Sequence, residues 1–406
     1  MSYNKRPKRA RPARPVPFVD LKPQHDELRA ELDALFRQVL DTSSFIGGPL
    51  VEEFEAEFAR YLGAPHVVGV SSGTDAVRIA LQVAGVARDD LVVTVSHTFI
   101  GTTEGVTQLG AVPIFVDIDA DSFTMSPVAL EDFLDGQCRR DGDVLRHRRS
   151  GRRVAAIMPV HLYGQSADME PILASAADYG VPVVEDAAQA QGATYRFANG
   201  RVARCGTMGV SAAFSFYPGK NLGAIGEAGA VATGDVELAS RARMLRDHGQ
   251  IEKYVHLVAD GANARLDALQ AGVLSLKLRR LDEWNARRRA LALHYDEALD
   301  ALDIQAPREM PWAEHVYHLY VVELPNRDEV RAALAEGGIA TGLHYPVPLH
   351  RQPAFEGADI AGGPLEQTER AAERCLSLPM YPHLSAAQAD RVVEALAAAV
   401  AVPLSA

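Results

Sequence analysis

The chain has 406 residues, of which 48% are hydrophobic, and its formal net charge is -12. That length is sufficient for one large hydrophobic core with a second, smaller lobe. The sequence contains no run of eighteen apolar residues and no signal-peptide pattern, which argues against a membrane span and against secretion. The cysteines form no metal-binding or disulfide pattern, so we expect a cytoplasmic protein; they are Cys138, Cys205 and Cys375.

The first fifteen residues differ from the rest of the chain. Residues 1–15 contain six Lys or Arg and no acidic residue, and this basic, proline-rich composition predicts a disordered tail. A nucleic-acid-binding arm is the alternative for this segment. The remainder of the chain is strongly acidic, which argues against nucleic acid as the main partner.

From residue 66 onward, apolar strands alternate with amphipathic helices. The near-continuous Val and Ile runs are typical of strands covered on both faces, and the alternation predicts an α/β fold with a mostly parallel central sheet and helices on both faces. Ligands of such sheets bind at the carboxyl ends of the strands. The predicted strands are 66–71, 90–97, 112–119, 153–164 and 181–189, and the predicted helices are 74–85, 101–110, 126–135 and 168–180.

The pattern changes after residue 250. A long helix is predicted over 265–299, and the segments that follow indicate a smaller α+β domain: a strand at 316–324 and helices at 327–338 and 389–401. We therefore divide the chain into a tail (1–15), a large domain (16–250) and a small C-terminal domain (251–406). Residues 136–153 contain seven Arg and two Asp, and we predict a solvated loop there.

Two of the predicted strand ends carry groups that suit an anionic aromatic ligand. Gly73 and Thr74 open a helix, where free amide groups bind anions; an ordinary helix cap is the alternative. Asp186 ends a buried strand, and a carboxylate in that position needs a cationic or N–H partner, such as a protonated ring nitrogen or, alternatively, a helix cap or ion pair. Glu185 points to the opposite side and is interpreted as structural. Gln189 suits a ring oxygen.

A lysine follows in a glycine-rich turn. Lys220 comes after the strand-like segment "AAFSF", and a desolvated lysine becomes a nucleophile; a solvated loop lysine is the alternative. Ser215 lies five residues earlier and suits the same anion as Thr74. An anion cradle, an acid, an amide donor and an amine together match the four functional groups of pyridoxal 5'-phosphate (PLP).

These segments resemble the DegT/StrS-type sugar aminotransferases, PLP enzymes of the aspartate aminotransferase fold (fold type I). The resemblance covers roughly residues 18–385. It rests on ordered blocks that include "SSGTDAV", "FVDID", "PVHLYGQSADM", "VEDAAQAQGA", "FSFYPGKNLGA", "RLDALQAGVLSLKL", "HYPVPLH" and "LSLPMYP".

The resemblance implies a role for each candidate residue. Lys220 would hold PLP as a Schiff base, Asp186 would face the pyridine nitrogen, and Gln189 would face the ring hydroxyl. Gly73, Thr74 and Ser215 would bind the phosphate. Phe99 would stack on the ring; its alternative is a core aromatic residue.

The resemblance also implies a homodimer with a shared active site. Asn263 would reach the phosphate of the partner subunit and Arg265 its substrate, although Ala262 and Ala264 replace the Tyr and the Ser or Gly that the family usually has. His344 and Tyr345 would contact substrate, with a structural turn before Pro346 as the alternative. His161 is expected to support the pocket. The histidines show no metal-ligand spacing, so no metal is predicted.

The implied reaction transfers an amino group from glutamate (or glutamine) to a keto sugar carried on a nucleoside diphosphate, in amino- or deoxysugar biosynthesis. There are three alternatives. In the first, the acceptor is a keto-cyclitol. In the second, the chain is a sugar dehydratase, but that branch of the family has His where Lys220 stands, so Lys220 argues against it. In the third, the chain is a non-catalytic, PLP-binding regulator, which the intact set of Lys220, Asp186, Gln189 and Asn263 disfavours.

Overall fold

The structure is a computed structural model that describes residues 14–300, 302, 304, 306–358 and 360–401. Most of the predicted basic tail, residues 1–13, lies outside the described residues. The α-helices are α1 Lys22–Glu27, α2 Arg29–Thr42, α3 Pro49–Leu62, α4 Gly73–Val83, α5 Ile100–Thr107, α6 Pro127–Gln137, α7 Met169–Tyr179, α8 Val236–Arg246, α9 Ala268–Leu278, α10 Leu281–Asp300, α11 Arg327–Glu336, α12 Glu366–Arg374 and α13 Ala386–Val400.

Strands make up the second set of elements, and short 3-10 helices cover Leu162–Gly164, Leu349–Arg351 and Pro353–Phe355. The strands are β1 His66–Val70, β2 Leu91–Val95, β3 Val112–Val116, β4 Cys138–Asp141, β5 Val144–His147, β6 Val154–Ile157, β7 Val184–Asp186, β8 Thr194–Arg196, β9 Val202–Arg204, β10 Ser211–Ser215, β11 Gly229–Thr233, β12 Gln250–Glu252, β13 Val255–His256, β14 Ala313–Glu314, β15 Tyr320–Glu323 and β16 Cys375–Leu378.

Seven of these strands form the central sheet. Four have the order β1-β11-β10-β7 and three the order β3-β2-β6; two parallel bridges, Ile157 to Val183 and Val160 to Asp186, join β6 to β7. β11 pairs antiparallel with both β1 and β10, while the pairs β10–β7, β2–β6 and β2–β3 are parallel. The sheet is therefore mostly parallel, as the sequence predicts.

Helices cover both faces of this sheet because alternate residues of each strand point to opposite sides. Val68 and Val70 of β1 pack with α4 and α8, whereas Val67 packs on the other face with Phe58 of α3 and with α9. All five residues of β2 and of β11 are buried. This two-sided burial is the physical origin of the apolar runs in the sequence.

The C-terminal part of the chain has a core of its own. β15 and β16 pair antiparallel, and their apolar residues pack with α10, α11 and α13; Tyr295, Leu334 and Leu396 are fully buried there. Val16 joins this cluster through a parallel bridge to Ile339, so the start of the described chain packs against C-terminal elements. The domain boundaries stay predictions.

Two element predictions are wrong. The segment predicted as a loop over 136–153 contains the hairpin β4–β5, which covers residues 138–147. Cys138 and Leu145 are buried there, and Gly142 takes the left-handed conformation of a tight turn (φ 62°). The predicted helix 265–299 is two helices separated at Arg279 and Arg280. α9 packs on α2 and α3, whereas α10 packs on α13, and one straight helix cannot follow both surfaces.

Candidate active site

Asp186 lies at the carboxyl end of β7 and its backbone is fixed on both sides. Its N–H donates to the carbonyl of Pro159 (3.0 Å), and its carbonyl accepts from the N–H of His161 (3.0 Å). The residue is 3% exposed. The side chain follows the alternation of the strand, so it leaves β7 on the same side as Val184, toward α5.

The carboxylate of Asp186 has only partial compensation for its burial. Thr102 of α5 donates its hydroxyl to Oδ2 (2.7 Å), and the N–H of Ala188 donates to Oδ1 (3.1 Å). Burial raises the pKa of Asp186, although these hydrogen bonds and the charge of Lys220 act in the opposite direction. A cationic ring nitrogen would supply the missing stabilisation of the ionised form.

Lys220 lies in a closed turn that follows β10. The N–H of Phe216 donates to Ala228 and the N–H of Ala224 to Phe216, both at 2.8 Å, so hydrogen bonds close the base of this turn. Burial lowers the pKa of Lys220 to about 8, and the negative charge of Asp186 opposes that shift. The Lys220 side chain is partly buried. Among the described residues it forms no hydrogen bond and no ion pair. Its amine is therefore available to an aldehyde.

The phosphate candidates come together where β10 ends and α4 begins. Ser72 caps α4 by accepting from the N–H of Asp75 (3.1 Å), so the cap predicted as the alternative is present. The amide groups of the first helical turn have no intrahelical acceptor and can bind an anion. A Cβ at Gly73 would lie 2.5 Å from the Cβ of Ser215, which means that this approach requires glycine.

Phe99 lies at the mouth of the site and outside the core. Its side chain is 53% exposed, and its ring faces that of Tyr345 at 5.9 Å with an interplanar angle of 40°. Thr74 is close to it, because a Cβ added at Gly101 would lie 3.3 Å from the Thr74 hydroxyl and 3.1 Å from the Phe99 ring. An exposed ring beside the anion site suits a planar ligand.

Gln189 is held by two protein groups. Its Oε1 accepts from the N–H of Tyr163 (2.8 Å), and its Nε2 donates to the hydroxyl of Tyr345 (3.1 Å). One hydrogen on Nε2 is left for a ligand oxygen. Tyr345 is thereby tied to the loop that follows Asp186.

His344 faces Lys220 from the C-terminal part of the chain. Its Nδ1 lies 2.8 Å from the hydroxyl of Ser377, and its carbonyl accepts from the hydroxyl of Tyr163. Burial and the charge of Lys220 lower the pKa of His344 to about 4. The imidazole is therefore neutral at pH 7 and presents a hydrogen-bonding group without adding a second positive charge.

Sequence reasoning missed three residues of this site. Thr102 orients Asp186, and His318 lies near Lys220, since burial and that lysine's charge hold the pKa of His318 well below its ordinary value. Asn221, the residue after Lys220, links the Lys220 turn to the segment that contains His318, because its Oδ1 lies 3.3 Å from Nδ1 of His318. The signal for Thr102 was present, because polar residues open the predicted helix after Phe99. His318 carried no signal beyond its place in a strand-like segment.

The segment predicted to reach the partner subunit bridges to Val70 within this chain. The side chain of Asn263 is exposed, and Arg265 pairs with Asp247 (2.9 Å). Ser71 donates its N–H to the carbonyl of Ala264 (3.0 Å), which places the segment beside the end of β1. In the described part of the chain no hydrogen bond joins Asn263 or Arg265 to Asp186 or Lys220.

Glu185 has a structural role, as predicted. Its carboxylate accepts from the N–H groups of Gly206, Met208 and Gly209 at 2.6–2.7 Å and lies 2.9 Å from Nε2 of His161. Nδ1 of His161 accepts from the N–H of Ala167 (3.1 Å). These bonds fix His161 beside the strand that carries Asp186, and its role in supporting the pocket stays a prediction.

Among the described residues no group of three or more His, Cys, Asp or Glu side chains is arranged to hold a metal ion. No helix in the same residues is long and apolar enough to span a membrane.

The site fits PLP at three points: a glycine-lined helix N-terminus for the phosphate, an undercompensated carboxylate for the ring nitrogen, and an amine of lowered pKa for the aldehyde. Together with the mostly parallel sheet, these features define a PLP-dependent aminotransferase of fold type I. The chain belongs to the DegT/DnrJ/EryC1/StrS aminotransferase family, whose model matches residues 26–397.

Comparisons with individual proteins agree with this assignment. The chain is 45% identical to the dTDP-3-amino-3,4,6-trideoxy-alpha-D-glucose transaminase of Streptomyces venezuelae, over 94% of this chain and 95% of that protein. It is also 45% identical to the erythromycin biosynthesis sensory transduction protein EryC1 of Saccharopolyspora erythraea, over 94% of this chain and 99% of that protein.

A solved structure gives the same result. The crystal structure of DesV from S. venezuelae, in complex with a ketimine intermediate, superposes with a TM-score of 0.87 at 44% identity, covering 96% of this chain and 100% of DesV. The predicted family, fold class and aminotransferase activity are confirmed, and PLP is the cofactor.

Proposed function

We propose that this chain transfers an amino group from glutamate or glutamine to the ketone of a sugar carried on a nucleoside diphosphate. The observation that carries the proposal is the electrostatic pairing of Lys220 with the buried carboxylate of Asp186 at the carboxyl ends of the sheet. The S. venezuelae relative, named for a dTDP-linked amino sugar, favours a nucleotide sugar as the acceptor.

The site residues divide the work of the reaction. When bound, PLP supplies an electron sink that stabilises negative charge at the donor Cα. Asp186 keeps the ring nitrogen protonated, and the amine of Lys220 moves the proton at the donor Cα. The remaining cofactor-binding residues hold the phosphate and ring in place; they are Gly73, Thr74, Phe99, Gln189, Ser215 and, from the partner subunit, the residue equivalent to Asn263.

Substrate contacts come from His344, Tyr345 and Arg265. His344 and Tyr345 border the ring site in this chain, since the charge of Lys220 lowers the pKa of His344 and the ring of Tyr345 contacts that of Phe99. Arg265 brings a guanidinium that suits the diphosphate of the acceptor. We place the enzyme in the cytoplasm, where nucleotide sugars are made.

A homodimer is part of the proposal. Four apolar side chains that are 51–53% exposed lie on α2 and just after it: Phe36, Leu40, Phe45 and Ile46. Ile46 bridges to Asp267, so this surface continues into the segment that contains Asn263 and Arg265. Large exposed apolar side chains grouped along one stretch of chain are typical of an interface, and they support a shared site.

The test of the chemistry is the spectrum of Lys220→Ala. We expect this variant to lose both the absorption band of lysine-bound cofactor and the transfer of the amino group from glutamate. Lys22→Ala, a change at an exposed lysine of α1, should keep both. Survival of the band and of the activity in Lys220→Ala would refute the assignment.

Two other functions are separated by one further experiment. The name of EryC1, a sensory transduction protein, favours a regulator as the second candidate, and a keto-cyclitol aminotransferase is the third. Protein loaded with the aminated cofactor should regain the lysine-bound absorption band when a nucleotide keto sugar is added. Recovery with cyclitols alone identifies the third candidate, and failure to accept an amino group from any donor identifies the regulator.

A further inference from the structure

The turn that presents Lys220 is held from outside by a second, fully buried lysine. Lys277 of α9 is 0% exposed, and its Nζ donates to the carbonyl of Gly223 at 2.7 Å. Gly223 is three residues from Lys220 in the same closed turn. This turn is tightly wound, because a Cβ at Gly223 would lie 2.3 Å from the carbonyl oxygen of Pro218.

The second hydrogen-bond partner of Lys277 is a neutral histidine, as the first is a neutral carbonyl. Nζ lies 3.3 Å from Nε2 of His25 on α1. Because an ammonium only donates, Nε2 accepts and the proton of His25 is on Nδ1. Burial, followed by the charge of Lys277, lowers the pKa of His25, which agrees with a neutral ring. Among the described residues no carboxylate forms an ion pair with Lys277.

A buried ammonium without a carboxylate partner destabilises the folded state relative to an apolar side chain of similar size. Burial alone lowers the pKa of Lys277, to about 8, and a methionine of similar length would pack there without desolvating a charge. The polar group is therefore explained by what it bonds, which is the backbone of the Lys220 turn. The charge of Lys277 does not contribute to the lowered pKa of Lys220, which burial lowers and the charge of Asp186 raises.

Other side chains hold the turn as well. Oε1 of Gln270, also on α9, accepts from the N–H of Ile225 (2.9 Å), and Oδ1 of Asn221 lies 3.3 Å from Nδ1 of His318. Nδ2 of Asn221 donates to Oδ1 of Asn285 (2.8 Å) and to the carbonyl of Val316 (2.9 Å). Asn221 and Gly223 are thus fixed from α10 and α9, which holds the residues just after Lys220 at two points. Among the described residues, loss of the Lys277 bond leaves the Gln270 bond to Ile225 as the side-chain tie to α9 and leaves the Gly223 carbonyl without its donor.

We propose that Lys277 is a positioning residue for the reaction: its buried ammonium fixes the Gly223 carbonyl and thereby the turn that aims the amine of Lys220. The inference rests on the proposed role of Lys220. It assigns no contact between Lys277 and substrate or cofactor. Its effect is expected on the rate of the proton transfer that Lys220 performs and not on the affinity for the amino donor.

Lys277→Met tests the proposal in the full-length, PLP-loaded protein. Removal of the donor should make the backbone amides of residues 216–224 exchange with deuterium about tenfold faster. We expect kcat with glutamate to fall about 10- to 100-fold with KM within about twofold, because misplacement of a catalytic group by about 1 Å has such an effect. Lys277→Arg, which retains a cationic donor, should recover part of both losses.

The matched control is Lys22→Met, which makes the same change on the exposed surface of α1. Equal exchange and equal kcat in Lys277→Met and Lys22→Met would overturn the proposal and leave Lys277 as a structural residue. If Lys277→Met does not fold, the shorter and neutral Lys277→Gln is judged by the same two measurements, and wild-type values in folded Lys277→Gln overturn the proposal equally.

Failure of this inference is distinguishable from failure of the proposed function. Lys220→Ala that keeps the absorption band would refute the role of Lys220 itself. Lys220→Ala that loses the band, together with Lys277→Met that matches its control, would refute only the positioning role.

Discussion

Lys220 and Asp186 perturb each other in a way that defines the chemistry of the site. Burial disfavours the charged form of both groups, so the pKa of the lysine is lowered and that of the carboxyl is raised. Their mutual attraction limits both shifts. The result is a lysine that is easily converted into a nucleophile near neutral pH, beside an acid that gains most from a new cation.

The lowered pKa of Lys220 predicts how the apoenzyme captures PLP. Only the neutral amine attacks an aldehyde, so the capture rate should rise as the pH approaches about 8 and level off above it. An unperturbed lysine would continue to gain rate up to about pH 10. Stopped-flow absorbance between about pH 7 and pH 10 measures this, with free PLP and a lysine peptide as the reference.

Asp186→Asn supplies the control for that prediction. The carboxylate raises the pKa of Lys220, so its removal should move the midpoint of the capture rate to lower pH. A midpoint that moves to higher pH contradicts the electrostatic coupling of the two residues. A wild-type rate that still climbs at about pH 10 contradicts the lowered pKa of Lys220.

Thr102 is the second residue at which a single hydrogen bond matters. Thr102→Val removes the donor to Asp186 Oδ2 and leaves a buried carboxylate oxygen without its partner, which costs about 1–3 kcal/mol. Since that hydrogen bond lowers the pKa of Asp186, its loss raises the pKa further and weakens the hold on the ring nitrogen. We expect a fall in kcat of about tenfold in steady-state assays. Thr102→Ser keeps the hydroxyl and should stay close to wild type.

At the scale of elements, the hairpin β4–β5 depends on its buried face and not on its arginines. Leu145 is 3% exposed and packs into the core that contains Phe133 and Ile172. Arg139 is exposed and stands directly across the hairpin from Arg146, which has the same charge. Like charges in that position are slightly destabilising.

Two substitutions in the hairpin should therefore differ in their effect on the free energy of unfolding. Leu145→Ala should lower the free energy of unfolding by about 2–5 kcal/mol because it leaves a cavity. Arg139→Ser should change it by less than about 0.5 kcal/mol, and neither should alter KM for glutamate in a folded sample. Urea denaturation followed by circular dichroism checks both, and a large loss in Arg139→Ser would show that the arginines have a structural role.

At the scale of the whole molecule, the proposed sharing of the active site between two subunits makes a quantitative prediction. Lys220→Ala and Asn263→Ala should each be inactive as homodimers. If Asn263 acts across the interface, a co-expressed mixture contains heterodimers with one intact site, and about a quarter of all sites are intact when subunits pair at random. If Asn263 acts within its own chain, mixing restores nothing. Transaminase assays of the purified mixture distinguish the two results.

Much of the site was predictable because parallel strands meet at one edge. Hydrophobic periodicity located β1, β7 and β10, and polar residues at strand ends then stood out against apolar runs. For this reason the sequence predicts Asp186, Lys220 and Gly73 as site residues, and it assigns Glu185, one residue from Asp186, to the opposite face. Local patterns of this kind are properties of a few adjacent residues.

Tertiary packing determines the features of the site that these local patterns do not predict. His344 and His318 lie more than ninety residues along the chain from Lys220 and reach it only because the C-terminal elements fold back over the sheet. The break between α9 and α10 follows from the two surfaces that these helices cover, and the position of Lys277 beneath the Lys220 turn follows from α9. The pKa values of these groups depend on burial and on distances between remote residues, and neither quantity is contained in a local stretch of amino acids.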